Sequence, residues 1–322
     1  MIGVSTIGMM MFTSRPVGDA MATTMWSMGS SWSLTALPLF VWMGEILFRT
    51  KLSENLFKGL SPWLAKLPGG LIHVNILGCA IFAAISGSSA ATVATVGKMS
   101  IPELRKRNYP EKFLLGTLAG SGTLGLLIPP SIILIIYGVT VEESIAKLFI
   151  AGIVPGVGLA ILFMLYVVIW SLKNKKLMPS ISEKFSFVQK VKKSGQLLPV
   201  ILLIFAVIGS IYAGIATATE AASLGVLGAL VLSYFQKSLT KDSFKKSILG
   251  ATKTSCMIAF ILAGSSFLTL AMAFTGLPKN LAVFIETLQL SPYMLLLVLT
   301  LFYIILGMFL DGISAVVLTM AI

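Results

Sequence analysis

Small polar residues interrupt two otherwise apolar stretches of this 322-residue chain, and they are the residues best suited to chemistry. The first group follows the apolar run from Leu71 to Ile85. Hard cations take oxygen ligands, which hydroxyl and carbonyl groups supply. Because no Asp or Glu occurs between positions 71 and 99, the group favours an exchangeable monovalent ion over a tightly held divalent one. It consists of Ser86, Gly87, Ser88, Ser89 and Thr92.

The second interruption is rich in glycine and proline and runs from position 122 to 131. Pro129 and Pro130 have no backbone N–H, so carbonyls about one turn earlier, around Gly125 and Leu126, are predicted to lack helical partners. Free carbonyls can bind a cation, and we therefore predict that this unwound stretch and the first group hold Na⁺ together. Its predicted sodium ligands are Gly122, Gly125, Ile128 and Pro130.

Both interruptions also have a structural interpretation. The serine-rich group would allow close packing between helices, which small residues favour in membranes. The two prolines would then produce an ordinary helix kink. The sequence leaves both alternatives open.

The composition places these stretches in a membrane. Hydrophobic residues make up 57% of the chain and charged residues 11%, with a mean hydropathy of +0.96. In soluble domains about a quarter of the residues are charged, so this composition excludes a soluble domain. It predicts an all-α polytopic membrane protein. The distant cysteines Cys79 and Cys256 exclude a disulfide framework or a cysteine-based metal site. With one histidine and no Gly-x-Ser-x-Gly motif, we predict no enzyme and no cofactor beyond sodium ions.

The net charge of +12 indicates membrane topology rather than nucleic-acid binding. Most basic residues fall in four segments, which the positive-inside rule places together on the cytoplasmic side. The segments are 49–66, 98–112, 173–193 and 237–253. The stretch 71–99 lies between two of them, so it must begin and end on the same face. Because its first 15 residues reach only about 22 Å, we predict a re-entrant hairpin with the serines at its tip.

A second copy of this pattern follows in inverted orientation. In the first copy, an apolar run at 34–48 and an amphipathic arm at 52–67 precede the hairpin. In the second, the run 256–274 and the arm 276–290 precede an apolar stretch that breaks near Asp311. Inverted repeats with broken helices are typical of secondary transporters. An acidic residue at this depth suggests function, although Asp311 could instead cap the second hairpin arm.

The predicted organisation has four parts. Simple spans are expected at 148–172, 197–215 and 221–235, with Glu220 capping the turn that begins at Thr217 and Glu45 pairing with Arg49. The parts are a first-repeat scaffold span with its cytoplasmic arm (1–70), a first transport element (71–138, with the hairpin 71–99 and the unwound helix 114–138), connecting scaffold spans (139–255), and a second-repeat span with outer arm and the start of a second hairpin (256–322).

At this level of detail the chain resembles the large membrane (M, DctM-like) subunit of tripartite ATP-independent periplasmic (TRAP) transporters. The resemblance covers nearly the whole chain. The matching motifs are Ala36-Leu-Pro-Leu-Phe-Val-Trp-Met-Gly-Glu45, Ile85-Ser-Gly-Ser-Ser-Ala-Ala-Thr92, Gly97-Lys98, Pro102-Glu-Leu-Arg-Lys-Arg107, Gly122-Thr-Leu-Gly-Leu-Leu-Ile-Pro-Pro-Ser131, Ala151-Gly-Ile-Val-Pro-Gly156 and Thr219-Glu-Ala-Ala222.

The resemblance implies a sodium-coupled, elevator-type importer in a bacterial inner membrane. It implies two partners, a small four-helix membrane (Q) subunit and a periplasmic substrate-binding (P) protein, and an organic anion of the sialic acid or C4-dicarboxylate class as substrate. Family members continue beyond the position of Ile322, so we expect the chain to be a fragment. The first alternative is a stand-alone Na⁺/dicarboxylate symporter, and the second is an anion channel.

The substrate anion is expected near the hairpin tips. Helix N-termini carry partial positive charge, which attracts a carboxylate. The predicted substrate-binding residues are Ser88, Ser89, Thr123, Ser131 and Asp311.

Overall fold

The computed structural model describes residues 1–13, 16–50, 52–179, 186–195, 197–310 and 312–320. Within these ranges every regular element is helical, which confirms the all-α fold class. Three of the described helices are long and apolar enough to cross a bilayer, namely Ile145–Lys173, Ala218–Phe235 and Lys241–Thr275. The protein is therefore an all-α polytopic membrane protein.

The α-helices are numbered here in chain order. They are α1 (Ile2–Phe12), α2 (Val17–Gly29), α3 (Ala36–Phe48), α4 (Leu52–Leu64), α5 (His73–Ser86), α6 (Ser89–Lys106), α7 (Glu111–Gly122), α8 (Ile132–Thr140), α9 (Ile145–Lys173), α10 (Phe187–Ser194), α11 (Leu198–Tyr212), α12 (Ala218–Phe235), α13 (Lys241–Thr275), α14 (Leu277–Thr287), α15 (Pro292–Gly307) and α16 (Gly312–Thr319).

The chain forms two compact units. One comprises Met1–Leu34, Ile136–Glu143 and Thr254–Ile322, and the other comprises Thr35–Ile135 and Ser144–Lys253. We call the second the hairpin unit, because it contains α5 and α6. The four-part organisation and the inverted orientation of the repeats stay predictions.

Local sequence signals fix several helix ends in the hairpin unit. Helix α12 begins with a capping box, in which the Thr217 hydroxyl accepts from the Glu220 N–H and the Glu220 carboxylate accepts from the Thr217 N–H at 2.8 Å. Near the end of α3, Arg49 donates to Glu45 at 2.8 Å. Both predicted pairings are confirmed.

Helices α5 and α6 form the predicted hairpin, with a break at Gly87 and Ser88. Helix α5 ends at Gly87, whose φ of 57° lies in the left-handed region that glycine adopts without strain. The second arm runs past position 99 to Lys106, because Arg105 and Lys106 favour the negative end of the helix dipole. The hairpin is thus longer on one side than predicted, and its re-entrant path stays a prediction.

An ion pair closes the turn between α6 and α7. The Arg105 guanidinium donates to both carboxylate oxygens of Glu111, and this hydrogen bonding holds the pKa of Glu111 below its ordinary value. The turn therefore sets the second hairpin arm directly beside α7.

The other unit repeats the order of elements seen around the hairpin. Helix α13 is followed by the short helix α14, by the apolar helix α15, and by a turn at 308–310 before α16. The Ser265 hydroxyl of α13 donates to the Val317 carbonyl of α16 at 2.9 Å. Asp311 lies outside the described residues, so its predicted role stays a prediction.

Candidate functional site

The hairpin tip is a compact cluster of polar groups. The Ser86 and Thr92 hydroxyls lie 2.9 Å apart, and both residues are buried. Ser88 caps α6 by accepting from the Ala91 N–H at 3.4 Å, and its own N–H donates to Ser86 Oγ at 3.4 Å. The tip therefore presents neutral oxygens on a backbone that has left the helix.

The second predicted interruption is an unwound stretch and not an ordinary kink. Helix α7 ends at Gly122, a single 3₁₀ turn covers Thr123–Leu126, and α8 begins only at Ile132. Of the two carbonyls predicted to be free, that of Leu126 accepts from the Ser131 hydroxyl at 2.8 Å. The lost helical partner does not leave the Leu126 carbonyl free, because the hydroxyl of the buried Ser131 replaces the N–H that proline lacks.

The tip and the unwound stretch touch through their backbones at Gly87. The Ile132 N–H donates to the Gly87 carbonyl at 3.4 Å. A β-carbon on Gly87 would lie 2.9 Å from both the Ile132 nitrogen and the Pro130 carbonyl oxygen. A β-carbon does not approach a backbone nitrogen or oxygen this closely unless the chain shifts, so only glycine fits this contact.

Two further glycines extend the contact along the unwound stretch. A β-carbon on Gly125 would lie 3.2 Å from the Ser88 carbonyl carbon and the Ser89 nitrogen. One on Gly122 would lie 2.0 Å from a methyl group of Val93 in α6. The hairpin tip therefore rests on bare backbone, and we call this contact the tip junction. It brings together the predicted residues Ser86, Gly87, Ser88, Ser89, Thr92, Gly122, Gly125 and Pro130.

The remaining predicted residues have other neighbours. Ile128 packs against α9, where a β-carbon on Gly156 would lie 2.9 Å from the Ile128 side chain. Thr123 is exposed, and its hydroxyl donates to the Gly120 carbonyl at 2.7 Å. Ser131 is fully buried, with its hydroxyl on Leu126 as described above. The predicted ligand roles of these three residues, like those of the residues at the tip junction, stay predictions.

Sequence reasoning missed a set of glycines that support the tip junction from outside. Gly44 of α3 lies against the end of α5, where its β-carbon would be 3.0 Å from the Ile85 carbonyl oxygen. Gly152 of α9 lies against the unwound stretch, where a β-carbon on Gly152 would lie 2.7 Å from the Leu127 carbonyl oxygen. The spacing Gly152-x-x-x-Gly156 is the small-residue signal of close packing in membranes and could have indicated this contact.

Because the resemblance noted above implies a transporter, the support from α9 predicts that Gly152→Ala impairs transport although alanine favours helices. The added carbon would meet a backbone carbonyl, which cannot move away as a side-chain end can. We expect the maximal uptake rate to fall by about tenfold, which is the effect of a free-energy change of about 1.4 kcal/mol. The control is Gly158→Ala in the same helix, where a β-carbon has no neighbour within 4 Å among the described residues and uptake should stay unchanged. Equal rates for the two variants would contradict this role of α9.

The chemistry available at the tip junction is that of neutral oxygen ligands. None of the residues named for it carries a charge, and no group of three or more His, Cys, Asp or Glu residues occurs in the described part of the chain. Hydroxyl and carbonyl oxygens without a carboxylate suit a weakly held monovalent cation.

Comparison with known proteins places the chain among transport proteins. A family model described as the DctM component of the tripartite ATP-independent periplasmic transporter matches residues 1–322. The C4-dicarboxylate TRAP transporter large permease protein DctM of Pseudomonas aeruginosa is 33% identical over 303 residues, which cover 94% of this chain and 70% of the relative.

Two further relatives are named for other substrates and differ in length. The isethionate TRAP transporter permease protein DctMQ of Oleidesulfovibrio alaskensis is 32% identical over 95% of this chain and 48% of its own length. The sialic acid TRAP transporter large permease protein SiaM of Vibrio cholerae is 31% identical over 89% of this chain and 67% of its own length. These relatives are permeases and not enzymes.

Proposed function

The chain belongs to the DctM component family of tripartite ATP-independent periplasmic transporters. We propose that it carries an organic anion across the membrane and that a sodium gradient drives this transport. As a TRAP large permease it is a multi-pass protein of the inner membrane. The sodium coupling and the elevator-type movement are the proposed parts.

The observation that supports sodium coupling is the tip junction. Two breaks in helical structure, far apart in sequence, lie against each other through Gly87 and Gly125. Non-helical backbone at membrane depth is tolerated only where protein or a water-filled cavity covers it. Here the hairpin tip and the unwound stretch cover each other, and the oxygens between them are the proposed ligands of Na⁺.

In the proposed mechanism, Na⁺ holds the hairpin tip closed on the unwound stretch. Sodium binding lowers the free energy of the closed arrangement and so raises its population. The closed tip would then present the N-terminus of α6, capped by Ser88, to the substrate carboxylate. The amphipathic arms α4 and α14 would brace a moving transport element against a fixed scaffold.

The proposed partners are a small four-helix membrane (Q) subunit and a periplasmic substrate-binding (P) protein. Members of the family normally work with both partners. The name of the Oleidesulfovibrio alaskensis relative, DctMQ, combines the M and Q components. The proposed substrate is an organic anion of the C4-dicarboxylate or sialic acid class, which the names of two relatives specify.

The test is uptake into proteoliposomes that contain the permease and its membrane subunit, with the binding protein loaded with labelled succinate or sialic acid. We expect saturable uptake that is lost when K⁺ replaces Na⁺, since K⁺ is too large for the same ligands at the same distances. Uptake of equal rate without the binding protein would favour a stand-alone symporter. Non-saturable flux without sodium dependence would favour a channel and contradict the proposal.

A further inference from the structure

A pocket lies at the base of the hairpin, away from the tip junction. It has a volume of about 630 Å³ and lies between the end of α4, the loop before α5, the loop between α6 and α7, and the end of α9. All of its described lining belongs to the hairpin unit. We call it the base pocket.

The charge of the base pocket is positive. Lys66 and Lys175 line it, and no acidic residue is among its described lining residues. These lysines come from two basic segments that are distant in sequence, 49–66 and 173–193, and the fold brings both segments to one cavity. A cavity lined by charge of one sign attracts ions of the other sign.

Two buried hydroxyls line the same pocket. Ser171 is 3% exposed, and its oxygen has no hydrogen-bond partner among the described residues. Tyr109 is 5% exposed, and its oxygen accepts from the Leu71 N–H at 3.0 Å, which leaves its own hydrogen available to donate. A buried hydroxyl without a partner is costly, so an acceptor that reaches Ser171 would be stabilised.

Gly69 lies beside the buried Ser171 hydroxyl. Gly69 has a φ of 95°, a backbone conformation that glycine adopts readily and other residues rarely adopt. A β-carbon at this position would lie 2.8 Å from the Ser171 oxygen. The absence of a side chain at this position therefore preserves the space in front of the hydroxyl.

We propose that the base pocket binds the phosphate group of an anionic phospholipid. The phosphate oxygens would accept from Lys66, Lys175, Ser171 and Tyr109, which are all donors and include two cations. The apolar lining residues Leu67, Leu172 and Met178 suit the glycerol and upper acyl carbons. The positive-inside rule places both lysine segments at the cytoplasmic surface, where anionic headgroups lie. A free phosphate ion would use the same donors without the apolar contacts.

The experiment is native mass spectrometry of the full chain in detergent, titrated with phosphatidylglycerol. The pocket variant is Lys66→Gln with Lys175→Gln, and the control is Lys241→Gln with Lys245→Gln, which removes the same charge from the same predicted membrane side. We expect the apparent Kd to rise by about tenfold or more in the pocket variant and to stay unchanged in the control. Equal weakening in both variants would overturn the proposal, because general surface charge would then explain binding.

A second pair of variants tests the buried hydroxyl without changing charge. Ser171→Ala is compared with Ser233→Ala. Ser233 is likewise buried, and its oxygen has no partner within the described ranges, but it does not line the base pocket. We expect Ser171→Ala alone to weaken phosphatidylglycerol binding by about 3- to 10-fold. Indistinguishable variants, or displacement of the lipid from the wild type by an equal concentration of inorganic phosphate, would overturn the lipid proposal.

Discussion

Gly87→Ala is expected to reduce the maximal rate of sodium-dependent uptake by at least about tenfold. A residue other than glycine in the left-handed region costs about 1–3 kcal/mol, and 1.4 kcal/mol already corresponds to tenfold. The added carbon would also lie 2.9 Å from two backbone atoms of the unwound stretch. Both effects disfavour the closed tip, so the variant should spend most of its time with the hairpin displaced from the unwound stretch.

A matched variant separates backbone strain from contact. Gly214 has a similar φ of 68°, and a β-carbon there would have no neighbour within 4 Å in the part of the chain that the structure describes. Gly214→Ala therefore introduces comparable strain without a collision, and we expect its uptake to remain within about threefold of wild type. Uptake rates would be measured in proteoliposomes at equal amounts of folded protein. Similar losses in the two variants would contradict the importance of the tip contact.

Replacement of Ser86 and Ser89 together by alanine is expected to raise the half-saturating sodium concentration by about tenfold or more. A polar contact to a charged group contributes about 1.5–3 kcal/mol, and the double variant removes two candidate hydroxyl ligands. The Ser86 hydroxyl lies 2.9 Å from that of Thr92, so its loss also frees the Thr92 side chain to turn away. Uptake at saturating sodium should be affected less than uptake at low sodium.

The control for this variant is Ser210→Ala with Ser223→Ala. Both hydroxyls donate to carbonyls within their own helices, at 2.8 and 3.0 Å, and neither lies at the tip junction. We expect an unchanged sodium dependence for the control. If the Ser86 and Ser89 double variant also kept the sodium dependence of the wild type, the assignment of these serines to a sodium site would be wrong.

The breaks in helical structure could be predicted from the sequence because each has a local cause. Gly87 allows a left-handed turn, and Pro129 and Pro130 remove backbone donors, so both effects act within a few residues. The capping box at Thr217 and the pair of Glu45 with Arg49 are local for the same reason. Interactions between residues that are close together in the chain can be predicted from a single sequence.

The partners in the contacts that support the site could not be predicted, because they are distant in the chain. The spacing Gly152-x-x-x-Gly156 indicates close packing, but it does not say which residues pack there. Gly44 meets the end of α5 and Gly152 meets the Leu127 carbonyl, and no spacing in the sequence specifies these partners. The exposed position of Thr123 depends on the rotation of a single 3₁₀ turn. The bond from Ser131 to Leu126 likewise forms only once the chain has turned back on itself.

The proposed sodium site requires the hairpin to begin and end on one face of the membrane. The direct measurement uses single cysteines at Lys66→Cys and Lys98→Cys, both exposed positions, in a chain with Cys79→Ala and Cys256→Ala. An impermeant maleimide would be added to vesicles of known orientation, with Glu142→Cys as a marker for the opposite face. We predict that positions 66 and 98 react from the cytoplasmic side and position 142 from the other. Reaction of positions 66 and 98 from opposite sides would contradict the re-entrant hairpin and the sodium site built on it.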